Sequence, residues 1–187
     1  MKLVKVTNDN LLLAYHLQKE IFPESPDYLF LKNAAIEDDP YIAHYIAYVD
    51  DNPVGITGTY YEKIDNDSIW LSWFGVLSNE RKKGYGRKIL EATNEICKKL
   101  PFKYFRCYTS TTENASAIPL YKSFYQIVEN YENKDDETYN GSTVVFSSSL
   151  GKDKVTKWNN KYIGIREYDE LCEKGEEYLS NLEEKTI

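Results

Sequence analysis

Residues 81–86, Arg81-Lys82-Lys83-Gly84-Tyr85-Gly86, crowd cations and glycines together, and the basic run continues through Arg87 and Lys88. It follows the apolar stretch "IWLSWFGVL" (69–77) and precedes residues with helical periodicity. A helix start leaves backbone N–H groups unpaired and carries positive potential. Glycines at that point let a ligand come close to the backbone. With the surrounding cations they make an anion site suited to phosphates. A solvated basic helix start is the ordinary explanation of such a run; the glycines and the strand before it favour phosphate. The spacing is neither GxxxxGK[ST] nor GxGxxG, because Ile89 stands where the third glycine of the latter falls. Nucleic acid is a poor partner: the formal net charge is -7, and no further basic-aromatic surface accompanies the run.

The elements that must position this loop are legible from period and punctuation. "KLVKV" (2–6) alternates and predicts a strand; Asn8 or Asp9 is expected to cap a helix running through Glu20. A second helix is expected from Pro26 to Glu37, stopped by Pro40. Three strands follow, 41–49, 54–64 and 69–77, separated by "DDNP" and "DNDS" turns. The third is apolar on both faces and therefore central. Tyr85, Ile89, Leu90, Thr93, Ile96, Cys97 and Leu100 share one helical face, closed by Pro101. Then come a strand (103–109), a short helix (114–124) and two strands (125–131 and 142–149). The order βααβββαβαββ is a mixed α/β class. Its central sheet is mostly antiparallel, with one parallel β-α-β crossover between 69 and 109. Residues 1–149 form the expected domain. Residues 150–187 read as an extension whose amphipathic helix packs on the domain or on a second subunit of a homodimer.

The totals restrict the remaining chemistry. At 187 residues one domain suffices, and no apolar run is long enough to span a bilayer. No N-terminal segment has signal-peptide order, so a cytoplasmic protein without a membrane partner is expected. Cys97, Cys107 and Cys172 are scattered, and His16 and His44 are the sole histidines, which argues against disulfides and a metal centre. His44 is expected to be a satisfied structural histidine, Cys107 a buried inert thiol, and Trp70, Trp73 and Phe74 core.

At this point the chain resembles the GNAT superfamily of N-acetyltransferases. "GVLSNERKKGYGRKIL" (75–90) is similar to its acyl-CoA motif, where a strand ends, a loop follows and RxxGxG opens a helix. "NASAIPLY" (114–121) is similar to its second element: an Asn, a short helix and a Tyr. The order of elements agrees over 2–149; the tail lies outside the resemblance. The resemblance implies acetyl-CoA as co-substrate, no metal, and a small-molecule primary amine as acceptor. It implies that backbone groups of Val76 and Leu77 pair with the pantetheine arm and the thioester. After Arg81, the N–H groups of Lys82, Lys83, Gly84, Tyr85, Gly86 and Arg87 would hold the pyrophosphate. Asn114 would contact the pantetheine or phosphate region, and Tyr121 would protonate the departing thiolate. Gly75 fits a strand bulge that splays the two parallel strands.

Two departures stand out. "YKSFYQIV" (121–128) lacks the glycine-phenylalanine pair usual in relatives, and no carboxylate lies on 69–77. An alkyl ammonium, with a pKa of about 10, must lose a proton before attack. Glu62 is the first candidate for that base, Glu80 and Glu24 weaker ones, and a water chain without a single base is an equal alternative. A protein or peptide N-acetyltransferase and a catalytically inactive acyl-CoA-binding module remain as alternatives to the small-molecule enzyme.

Overall fold

A computed structural model describes residues 1–24, 27–36, 39–61, 65–112, 115–132 and 142–158. The elements are β1 (Lys2–Lys5), α1 (Leu11–Ile21), α2 (Tyr28–Ile36), β2 (Ala43–Val49), β3 (Asn52–Tyr60), β4 (Ser68–Val76), α3 (Tyr85–Cys97), β5 (Tyr104–Ser110), α4 (Ile118–Phe124), β6 (Ile127–Glu132) and β7 (Ser142–Ser149). They build one seven-stranded sheet in the order β1-β2-β3-β4-β5-β7-β6. All neighbours are antiparallel except β4 and β5. This is the mixed sheet and element order that the sequence predicts.

Helix starts differ in detail from the expectation. The residue at the N-cap of α1 is Asn10, not Asn8 or Asp9. Its side chain ties the preceding turn, accepting from the Thr7 N–H (2.8 Å) and donating to the Lys5 carbonyl (3.1 Å). Asp27 opens α2 by accepting from the Phe30 N–H at 2.8 Å, the geometry of a side-chain cap. The bounds expected for that helix, Pro26 and Glu37, lie outside the described residues, as does the expected end of β3 at 62–64.

Strand alternation sends neighbouring residues to opposite faces and so separates two layers. Ile46, Ile56 and Leu77 pack with Leu11, Leu17 and Ile21 of α1 and Leu31 of α2. On the other face Ile69, Leu71, Phe105, Cys107, Val144 and Phe146 pack with Leu90 and Cys97 of α3 and Tyr121 of α4. The chain does not leave the sheet at Ser149. Leu150 donates its N–H to the Lys103 carbonyl (2.9 Å). Trp158 is 2% exposed and packs with Trp70 and Val145 on the α1/α2 face. The described part of the extension is thus a strap on the sheet; the amphipathic helix expected beyond it lies outside the described residues.

Candidate active site

The sheet opens where its parallel pair parts. β4 and β5 pair only from Ser68–Trp70 to Tyr104–Arg106. Beyond that point β4 runs on to Val76, while β5 stays with β7 as far as Ser110. A wedge-shaped slot therefore passes between the two strands. Its cause is a bulge, but not at Gly75. Ile56 pairs with Gly75 and Gly58 with Ser72, so Trp73 and Phe74 together face Thr57. Trp73 takes φ 40, a left-handed conformation that a tryptophan adopts only under constraint. Gly75 is needed for a different reason: a Cβ there would stand 2.3 Å from Ile21 Cγ2, at the end of α1.

Backbone polarity at the slot follows from register. Leu77 donates to the Val54 carbonyl at 3.0 Å, which makes Gly55–Val76 a non-hydrogen-bonded pair. The N–H and C=O of Val76 therefore point away from β3, toward the side that β5 has left. Arg81 Nε donates to that carbonyl at 3.2 Å and ties the loop to the strand end. The Leu77 N–H is taken by β3, and its carbonyl accepts from the Glu80 N–H at 2.9 Å. Of the two residues expected to meet the pantetheine arm, Val76 is the one whose N–H is turned away from β3.

The loop after β4 makes one helical turn at Ser78–Glu80 and reaches α3 through left-handed Lys82 (φ 62) and Gly84 (φ 79). A Cβ at Gly84 would have nothing within 4 Å, so the space before it is open. The first bond of α3 runs from the Lys88 N–H to the Gly84 carbonyl. The N–H groups of Tyr85, Gly86 and Arg87 precede that ladder and form the positive helix end. Gly86 also serves packing, because a Cβ there would lie 3.2 Å from Leu120 Cδ2 of α4. The side chains are also committed. Lys83 pairs with Glu80 (3.0 Å), and Arg87 reaches Glu91 (3.4 Å) and the Ser123 hydroxyl (2.8 Å). What faces the open space is mainly backbone, with the cations arranged around it.

Tyr121 packs beside the bulge of β4. Its ring centroid lies 5.9 Å from that of Phe74 in the bulge and 5.3 Å from that of Phe146. Burial pushes its pKa well above the usual tyrosine value, so the hydroxyl stays protonated at neutral pH, the state a proton donor requires. Burial also raises the Cys107 thiol, and that of Cys97 to about 12, which keeps both as inert thiols. Glu62 and Asn114 lie outside the described residues.

Three features escape a sequence reading. His44 is buried but not satisfied: neither ring nitrogen has a hydrogen-bond partner among the described residues, and burial lowers its pKa to about 3. It fills the notch left by Gly58, where a Cβ would stand 2.7 Å from the imidazole, and meets Phe30 edge-on at 5.0 Å. Arg106 is 2% exposed and donates to the hydroxyls of Ser68 (2.8 Å) and Ser147 and to the Thr156 carbonyl (3.0 Å). A lone arginine in "KYFRCYT" (103–109) was its signal. Trp158 had none, since its strap carries no periodicity.

A family model described as acetyltransferase (GNAT) family matches residues 9–124. The chain belongs to that family. No curated protein matches it. Among solved structures it is similar to a GNAT-family protein from Desulfovibrio desulfuricans, with TM-score 0.69 and 13% identity over 80% of this chain and 99% of that one. The ribosomal-protein-S18-alanine N-acetyltransferase of Escherichia coli gives TM-score 0.62 and 14% identity over 87% and 99%. A GNAT family acetyltransferase from Elizabethkingia anophelis, solved with acetyl-CoA bound, gives 0.61 and 14% over 79% and 97%. At such identities the likeness establishes the fold.

Proposed function

We propose that the protein transfers an acetyl group from acetyl-CoA to the primary amine of a small molecule by direct attack on the thioester. The observation that carries this reading is the slot between β4 and β5, with the Val76 backbone edge along one wall and the N-terminus of α3 at its mouth. The slot accepts a narrow chain, and the unladdered N–H groups beyond Gly84 suit a pyrophosphate. The fit is that of a ligand with a long thin arm and an anionic end. The family membership and the acetyl-CoA held by one similar structure point the same way.

In the reaction the amine nitrogen bonds to the acetyl carbon while the carbon–sulfur bond breaks. The Val76 N–H would stabilise the oxyanion that forms in between. The amine's proton passes to water or to Glu62, and Tyr121 hands its proton to the leaving sulfur. Attack without an acyl-enzyme accords with Cys97 and Cys107, whose buried thiols are poor nucleophiles. Asn114, from its place in the sequence motif, is assigned to the pantetheine arm. The reading places the protein in the cytoplasm.

The test is release of free thiol from acetyl-CoA, followed with a panel of small amines and one peptide. Amine-dependent release with a product heavier by one acetyl group is expected. Acetylation of the peptide alone would transfer the activity to the protein-acetyltransferase class. Binding of acetyl-CoA without turnover of any amine would make the protein an acyl-CoA-binding module.

A further inference from the structure

The sheet ends at β6, and no strand lies beyond it among the described residues. Register settles which backbone groups face outward there. Leu150 donates to the Lys103 carbonyl and so continues the ladder between β7 and β5. Hydrogen-bonded pairs recur every second residue, so Ser148, Phe146 and Val144 bond to β5. Ser147, Val145 and Thr143 then turn to β6, where they meet Ile127, Glu129 and Tyr131. Val128 and Asn130 alternate with these three. Their N–H and C=O groups therefore point out of the edge of the sheet.

This edge is built to accept a strand. Edge strands are commonly blunted by proline, lysine or a bulge. Residues 127–132 contain neither proline nor lysine, and their register with β7 is unbroken. Val128 is 40% exposed. A groove of about 480 Å³ is lined by Val128, Glu129, Asn130 and Tyr131, together with Lys157 of the strap. Consecutive strand residues belong to opposite faces, so the groove follows the outer edge itself.

The strap delivers the rest of the chain to that place. It leaves β7 at Leu150, beside Lys103. By Trp158 it has come back to the level of Val145, and the Trp158 N–H donates to Glu129 Oε2 of β6 at 2.8 Å. It thus runs in the direction of β6. Asn159-Asn160 follows, a pair suited to a tight turn. Then comes "KYIGIREY" (161–168), rich in β-branched and aromatic residues and free of proline. Ile163 and Ile165 share one face of such a strand.

We propose that the outer edge of β6 is the docking site of the chain's own residues 161–168, which add to the sheet as an eighth strand antiparallel to β6. The turn at Asn159-Asn160 reverses the strap, the new strand bonds to the outward groups of Val128 and Asn130, and the isoleucines cover Val128. The edge is then closed to a second copy of the chain.

The test is residue-resolved amide hydrogen exchange on the full chain at two protein concentrations. The Val128 and Asn130 amides should exchange about a hundredfold or more slower than exposed amides, equally at both concentrations. The double variant Ile163→Pro, Ile165→Pro should release these two amides and leave Ile127, Glu129 and Tyr131 protected by β7. Asn130→Pro probes the same contact from the sheet, since it removes an outward N–H without breaking the β7 ladder. It should speed tryptic cleavage after Arg166 about fivefold or more, and it decides the matter if the double variant does not fold. Val128 and Asn130 amides that exchange like exposed ones in the parent would overturn the proposal, as would protection that survives the double proline variant. Protection that grows with protein concentration would give the edge to a second copy and overturn it too.

Discussion

The two faces of β4 are built on different principles. Toward α3 and α4 the site is made of backbone: the Val76 edge, left-handed Gly84 and the first N–H groups of α3, with Tyr121 beside them. Toward α1 and α2 the strand carries packed side chains, with those of β3, β5 and the strap collected around Trp70. A backbone cradle recognises a ligand part that does not vary.

The comparison breaks first at Tyr121. Tyr121→Phe should lower kcat by about a hundredfold while acetyl-CoA stabilises the variant as it does the parent, because the ring's packing on Phe74 and Phe146 survives. An unchanged kcat would remove the hydroxyl from the proton-donor role.

The second test addresses the opposite face. Burial lowers the folded-state pKa of His44 to about 3, from the usual histidine value of about 6.5. The unfolded chain therefore binds the extra proton first, so stability is complete above about pH 6.5 and falls as pH drops toward 3. By pH 5 the loss amounts to about 2 kcal/mol. His44→Leu should flatten that part of the stability curve, measured by denaturant melts at pH 7 and pH 5. An equal slope in the variant would show that another group governs acid sensitivity.

A smaller effect is expected at Gly84. Gly84→Ala forces a Cβ into a left-handed residue at the mouth of the slot, at a strain of about 1–2 kcal/mol. KM for acetyl-CoA should rise about tenfold and KM for the amine should stay. The smallest change is expected for Lys83→Ala. This side chain is half exposed and already paired with Glu80, so KM for acetyl-CoA should move less than about fivefold. A larger loss at Lys83 than at Gly84 would mean that side-chain charge, not backbone, makes the cradle.

The same contrast explains what a sequence reading reaches. The order of strands and helices, the parallel pair and the glycine loop were legible because period, turns and glycine spacing are local signals. Gly75 was read as the bulge, yet the extra residue lies at Trp73 and Phe74: glycine marks both bulges and close approaches, and here α1 approaches. Gly86 was read for its backbone N–H alone, and its lack of a Cβ also leaves room for Leu120. His44 was read as satisfied, because nothing local says that Gly58 opposite it leaves a notch that the ring fills. The strap at 150–158 and its Trp158 were invisible because their partners, Glu129, Arg106 and Trp70, are brought together only by the sheet.

The most direct measurement is thermal unfolding of the full chain with and without acetyl-CoA, with ADP as control. At about 100 times its dissociation constant acetyl-CoA should add about 2.7 kcal/mol, a rise in Tm of about 5–10 °C, with a smaller rise from ADP. No shift at millimolar acetyl-CoA would contradict the assignment of the β4–β5 slot and the α3 N-terminus to this ligand.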